Sequence, residues 1–322
     1  MKWSTELTDL LGIDIPIIQG GLAYLAYSEL AAAVSNAGGL GQITAMSLEN
    51  ETLLREEISK LRDKTDKPFG VNFAIGEQRR PFQHMVQAAI DEEVPVISIT
   101  GGNPGPVLKL LEGTGIKTMV LVAAKRQALK AEELGADAVM VVGQEGGGHI
   151  GRNDTGTFVL TPQVADAVSI PVIASGGIGD GKGLMAALAL GAQGVEMGTR
   201  FIATKECIHA DSAYKQAILN AGEQDTLVIK RSIGAPARAL KNQWTEQLVE
   251  MEKQNPGYQE LKSYISGEAN KRFIYEGQES DGFGWAGQIS ARINDIPSVG
   301  ELMERIMAEA AVIRNDWGTE RR

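Results

Sequence analysis

The chain has 322 residues, 43% of them hydrophobic and 22% charged, with a formal net charge of −10 and a pI near 5.0. The acidic balance excludes nucleic acid as the main partner, because phosphate backbones are held by clustered Lys and Arg. The single cysteine, Cys207, excludes an internal disulfide, no run approaches the roughly 18 apolar residues of a membrane helix, and Met1–Asp14 lacks the apolar core of a signal peptide.

Taken together, these features predict a cytoplasmic chain without membrane attachment, acting on a small-molecule substrate; a homo-oligomer is compatible with them. Eight apolar runs then follow in chain order, most of them ending in Gly, Asn or Thr. They are Ile15–Gly20, Gly39–Thr44, Pro68–Ala74, Val96–Thr100, Thr118–Ala123, Ala138–Val142, Pro171–Gly176 and Gly194–Gly198. Successive starts lie about 20 to 35 residues apart, room for one strand, one helix and two loops. Near-continuous apolar strands imply a parallel sheet covered on its outer face.

Helical spacing fills the intervals. Tyr27–Ala37 carries Leu30, Val34 and Ala37 on one face, and Leu48–Arg62 carries Leu53, Leu54, Ile58 and Leu61. Arg126–Leu134 and Gly183–Leu190 each stop at a Gly-Ala pair, Gly135-Ala136 and Gly191-Ala192, as a glycine C-cap requires. Eight strand–helix units predict an α/β fold, a (β/α)8 TIM barrel, rather than an open sheet with one early Gly-rich turn. The repeat stops after Thr204. Residues 205–280 are polar, helical in pattern and broken by Asn255-Pro-Gly257, so they predict an inserted helical second domain. The barrel then comprises residues 1–204 and 281–322, closed by an amphipathic helix over Ser298–Arg314.

The sixth run leads into Gly143-Gln-Glu-Gly-Gly-Gly-His149-Ile-Gly-Arg152. Glycines let backbone approach a ligand closely, and imidazole titrates near neutral pH. His149 is therefore the candidate catalytic residue, with Gly147 and Gly148 bringing main chain to a ligand. His84 and His209 sit in polar helical surroundings and read as surface residues. Gly176 and Gly177 end the seventh run, and Glu196-Met197-Gly198-Thr199 ends the eighth. With the N-terminus of the helix over Asp180–Leu190 pointing there, the two ends predict an anion site, and its expected anion is a cofactor phosphate. Asn72, a polar amide among apolar neighbours at the end of the third run, offers donor and acceptor together, which suits the edge of a flavin ring. Gly20-Gly21-Leu22-Ala23 after the first run leaves room for a flat ring against backbone, and Thr100–Pro104 widens the pocket. Lys125 reads as a solvent-facing lysine in a first helical turn. Metal binding is not expected, since no His/Cys/Asp group has ligand spacing. Cys207 reads as a passive thiol, with no His motif beside it.

Several of these motifs, in this order, resemble the 2-nitropropane dioxygenase-like family. They are Lys67-Pro-Phe-Gly-Val-Asn72, Glu145-Gly-Gly-Gly-His149-Ile-Gly151, Ile173-Ala-Ser-Gly-Gly-Ile178, Met197-Gly-Thr-Arg-Phe201, Arg238-Ala-Leu-Lys-Asn242 and Trp285-Ala-Gly-Gln288. The family holds nitronate monooxygenases, FMN-dependent enoyl-acyl-carrier-protein reductases and NADH:quinone reductases. The resemblance spans nearly the whole chain and is specific for the family, much less so for the substrate. It implies a barrel holding FMN without a covalent bond, His149 as the catalytic histidine, and flavin contacts at Asn72, Gly147, Gly177 and Glu196–Thr199. Three positions depart from the pattern. Gly146 stands where many members have Ala. Val142 stands where members often have Gln or Glu, which removes a side-chain hydrogen bond to the ring. Glu196 stands where many have Gln, so its backbone is the expected contact.

The leading expectation is a nitronate monooxygenase that passes electrons from an alkyl nitronate to FMN and on to dioxygen, with His149 orienting or protonating substrate, or taking a proton from a neutral nitroalkane. The alternative is NAD(P)H-dependent reduction of an enoyl thioester, with NAD(P)H as co-substrate. Trp285 leans toward the first, and Gly102-Asn103-Pro104 is shared with the second. The remote alternative is a barrel that binds a phosphate ligand without chemistry.

Overall fold

The computed structural model describes residues 3–76 and 81–317. All eight apolar runs are parallel strands: β1 (Ile17–Gln19), β2 (Gly41–Thr44), β3 (Phe69–Ala74), β4 (Val96–Thr100), β5 (Lys117–Val122), β6 (Ala138–Val142), β8 (Val172–Ser175) and β9 (Gly194–Met197). A two-residue strand, β7 (Gly148–His149), lies outside the barrel. The sheet runs β1-β9-β8-β6-β5-β4-β3-β2, and the bridge Ile18↔Leu40 joins β1 to the segment entering β2. The chain is therefore a (β/α)8 barrel.

The barrel strands are buried on both faces, which is why they read as unbroken apolar runs. Inside, Ile18, Val96, Met119, Met140 and Ile173 pack with Leu7 and Leu11. These two leucines come from a first helix, Glu6–Leu11, capped by Thr5, that stoppers the N-terminal end. Helices cover the outside where the periodicity places them: Ser28–Asn36, Glu51–Arg62, Lys125–Glu133 and Gly181–Ala189. Gly135 and Gly191 follow the last two at φ +86° and +91°, the left-handed conformation that favours glycine at a helix end. The C-terminal helix runs Val299–Trp317.

Residues 205–280 are not the purely helical insertion that their polarity predicts. Helices Ser212–Asn220, Gln243–Glu252 and Gly267–Ile274 flank a hairpin of β10 (Thr226–Ile229) and β11 (Ala237–Leu240). β11 pairs antiparallel with β7, Ala237 opposite His149 and Arg238 opposite Gly148. The physical reason is pairing: Ala237–Leu240, whose composition has little strand propensity, is held along its whole length by β10 and at Ala237 and Arg238 also by β7. Tyr214, Phe273 and Ile274 from this segment share one core cluster with Phe201, Ile202 and Ala286.

Candidate active site

The C-terminal ends of the barrel strands open into a cavity of about 1130 Å³. Every candidate residue lines it: Gly21, Leu22, Asn72, Gly147, Gly148, His149, Gly176, Gly177, Glu196, Met197, Gly198 and Thr199. No group of His, Cys, Asp or Glu among the described residues could hold a metal ion. His84 and His209 are exposed. Lys125 begins its helix on the surface.

The floor is a buried polar ladder. Gln42 donates from its backbone to Gln19 Oε1 (3.0 Å) and from Nε2 to Gln19 O (2.8 Å). Ser98 Oγ donates to Gln42 Oε1 (2.5 Å), and Asn72 Nδ2 donates to Ser98 Oγ (2.9 Å). The ladder fixes the Asn72 amide, and its Oδ1 lies against Gly21, where a Cβ would come within 2.5 Å of it. Gly21 is thus required for the close approach of the β1 loop to the end of β3.

The His149 loop is tied from several sides. Gln144 Nε2 donates to the carbonyls of Gly151 (2.8 Å) and Asn153 (2.6 Å), and buried Arg238 donates from Nε to Gln144 O (3.0 Å). Glu145, the carboxylate nearest His149 in sequence, turns away from it. It accepts from the backbone N–H of Thr157 (2.8 Å) and so caps the helix Thr157–Ala165. Held by β11, the imidazole lies 5.7 Å from the Trp285 ring. Its Nε2 is 2.6 Å from Lys230 Nζ. Lys230 is buried and stands 5.7 Å from the same indole. Sequence reasoning missed this lysine. Nothing local marked it: it closes the apolar run Leu227-Val-Ile229 beside a second cation, Arg231.

At the end where the sequence predicts an anion site the structure corrects one expectation. The N-terminus of helix Gly181–Ala189 is already occupied: Asp180 accepts from Gly183 N (2.9 Å), and Glu309 of the C-terminal helix accepts from Gly181 N (2.8 Å). Two carboxylates already occupy that helix end, which makes it a poor place for a further anion. What remains is main chain at the ends of β8 and β9. Gly176 and Gly177 have φ +92° and +76°, and Thr199 Oγ1 accepts from Gly287 N (2.9 Å), drawing the C-terminal return against β9. A Cβ on Gly147 would lie 2.6 Å from Gly287 N. Three glycine-bearing segments therefore meet at one corner of the cavity, a cradle that side chains would fill. The thiol of Cys207 is buried and pushed up to about 12, consistent with a passive group.

Glu196 is buried among these segments, 3.2 Å from where a Gly20 Cβ would stand. Burial raises its pKa, with Ser175 opposing in part. A carboxyl whose folded pKa lies above its unfolded one contributes stability fully at low pH and loses it as pH rises past the ordinary carboxylate range. Glu196→Gln keeps the shape and removes the ionisation. Its melting temperature should exceed wild type at pH 7.5 and should match it at pH 4. Thermal melts at both pH values read this; an equal gap at both would mean the carboxyl is not held neutral.

The sequence matches the family model for nitronate monooxygenase over residues 4–80 and 73–309. A Staphylococcus saprophyticus protein named "Probable nitronate monooxygenase" is 34% identical, over 98% of this chain and 100% of that protein. Among solved structures, FabK from Thermotoga maritima superposes with a TM-score of 0.92 at 40% identity, covering 98% of each chain. The nitroalkane oxidase of Streptomyces ansochromogenes superposes with a TM-score of 0.83 at 28% identity, covering 97% of this chain and 99% of the other.

Proposed function

The chain belongs to the nitronate monooxygenase family, a family of flavin-dependent oxidoreductases, and from that premise we propose that it oxidises small alkyl nitronates with FMN as cofactor and dioxygen as oxidant. The observation that carries the substrate assignment is the charge of the cavity. Its carboxylates are Glu145, turned aside onto a helix cap, and Glu196, whose charged form burial disfavours. Its cations are Arg152 and Lys230. The wall is therefore complementary to a small anion, and a nitronate is one.

The glycine cradle fits a flavin phosphate, with Gly176, Gly177, Gly198 and Thr199 supplying main chain. Asn72 and the Gly21-Leu22 backbone would meet the ring. Bound there, a flavin would supply the electron acceptor and the reaction with dioxygen. The protein's part is to hold the anion, orient it through His149 and Trp285, and exclude bulk water beneath residues 205–280. Val142 lines the cavity where a polar side chain would offer the ring a hydrogen bond, so this chain makes no side-chain hydrogen bond at that point.

The likeness to FabK favours a second reading, NAD(P)H-dependent reduction of an enoyl thioester, whose enolate would be the anion. One experiment separates the two. Denatured protein should release FMN and not FAD, because the cradle is single. Anaerobic mixing with propyl-2-nitronate should bleach the flavin. Bleaching by NADH or NADPH alone, followed by turnover of a crotonyl thioester, would replace the nitronate reading with the reductase one.

A further inference from the structure

Lys230 follows β10 with φ +66°, a conformation uncommon for a non-glycine residue and held by its surroundings. Glu252, on the helix Gln243–Glu252, imposes it. Its Oε2 accepts from Lys230 N (2.8 Å), and its Oε1 accepts from Ser232 N and Ser232 Oγ (both 2.9 Å). The strained turn delivers a buried ammonium group against His149 Nε2, 81 residues away in sequence, at 2.6 Å. The Trp285 face beneath both groups favours a cation.

We propose that Lys230 is a positioning residue for His149 and the source of the positive charge that holds an anionic substrate. An ammonium group has donors and no acceptor. The nitrogen it meets must then accept, which fixes His149 as the neutral tautomer with its proton on Nδ1. In that form the imidazole has no free lone pair. His149 therefore works as a hydrogen-bond donor to substrate, and the Lys230 charge strengthens that donor. The substrate assignment rests on the nitronate reading; the tautomer assignment does not.

The test uses a substitution chosen for the backbone. Lys230→Gly removes the ammonium and suits φ +66°, so the turn bound to Glu252 survives. In protein carrying ¹⁵N-histidine, long-range ¹H–¹⁵N spectra should show an Nδ1–H tautomer for His149 in wild type and in Lys230→Arg, and a different tautomer or exchange average in Lys230→Gly. His84 and His209 signals should not move. With propyl-2-nitronate, Lys230→Gly should raise KM by about 10- to 100-fold, the loss of one charge-assisted hydrogen bond, with flavin content unchanged. Lys230→Arg should recover most of it. A wild-type His149 that is Nε2-protonated or doubly protonated would overturn the proposal, and so would an unchanged KM in Lys230→Gly. Wild type that ignores nitronates but shows the Nδ1–H tautomer would instead overturn the nitronate reading and leave the pair standing.

Discussion

Gly177→Val is expected to leave a folded barrel that has lost most of its flavin. Gly177 has φ +76°, and a Cβ there would stand 3.2 Å from Glu145 Cβ. A β-branched residue adds two carbons to a contact already too close, in a backbone region it rarely enters. Strain of this kind costs about 1–3 kcal/mol. It is relieved by moving either the end of β8 or Glu145, whose carboxylate ties Thr157. Either movement opens the corner where the glycine segments meet. Flavin affinity should fall by about 10- to 100-fold, the factor that strain of this size sets if it is relieved at the site's expense. The ratio of flavin to protein absorbance reads it, with circular dichroism as the folding control. Gly113→Val is the matched comparison. It has the same left-handed φ, +77°, and open space around its Cβ, so it should cost stability without costing flavin. Equal flavin loss in the two variants would mean that strain, not the cradle, is being measured.

The barrel was legible because its strands are buried on both sides and its helices stop at glycines. Those signals are local: continuous apolar runs from Ile15 to Gly198, and left-handed caps at Gly135 and Gly191. The glycine-rich ends and His149 were legible for the same reason, since small residues after a strand mark where a ligand comes close. What failed was whatever depends on partners far away in sequence. Glu309 lies 128 residues from the helix end it occupies at Gly181, so the helix over Asp180–Leu190 looked free to bind phosphate. Ala237–Leu240 is a strand because β10 and β7 pair with it on its two edges, and Ala-Arg-Ala-Leu carries no pattern of its own. Lys230 went unnoticed because nothing local says that its turn folds back on His149.

His149→Ala is expected to keep fold and flavin and to lose about 10²- to 10³-fold in kcat/KM, the size of an oriented donor to a developing or standing negative charge. The fold should survive because His149 joins β11 through its backbone, which alanine retains, and because its side chain is exposed to the cavity. The informative quantity is the pattern of loss across substrates. Read from the sequence, His149 is a candidate base for a neutral nitroalkane, and a positioned base is worth about 10²- to 10⁴-fold. A base would lose much more on the nitroalkane than on the preformed nitronate, from which the proton has already gone. The Lys230 ammonium at Nε2 changes that expectation. An imidazole already accepting from a cation is a poor base, so 2-nitropropane serves as substrate through the nitronate that forms when buffer base takes its Cα proton, and the donor then meets the same anion from either substrate. The two losses should therefore agree within about threefold, a window of under 1 kcal/mol, while His84→Ala, on an exposed helical surface, should lose nothing. The measurement is kcat/KM for 2-nitropropane and for propyl-2-nitronate on wild type and both variants. A loss confined to the nitroalkane would restore His149 as the base and require Lys230 to leave it during turnover.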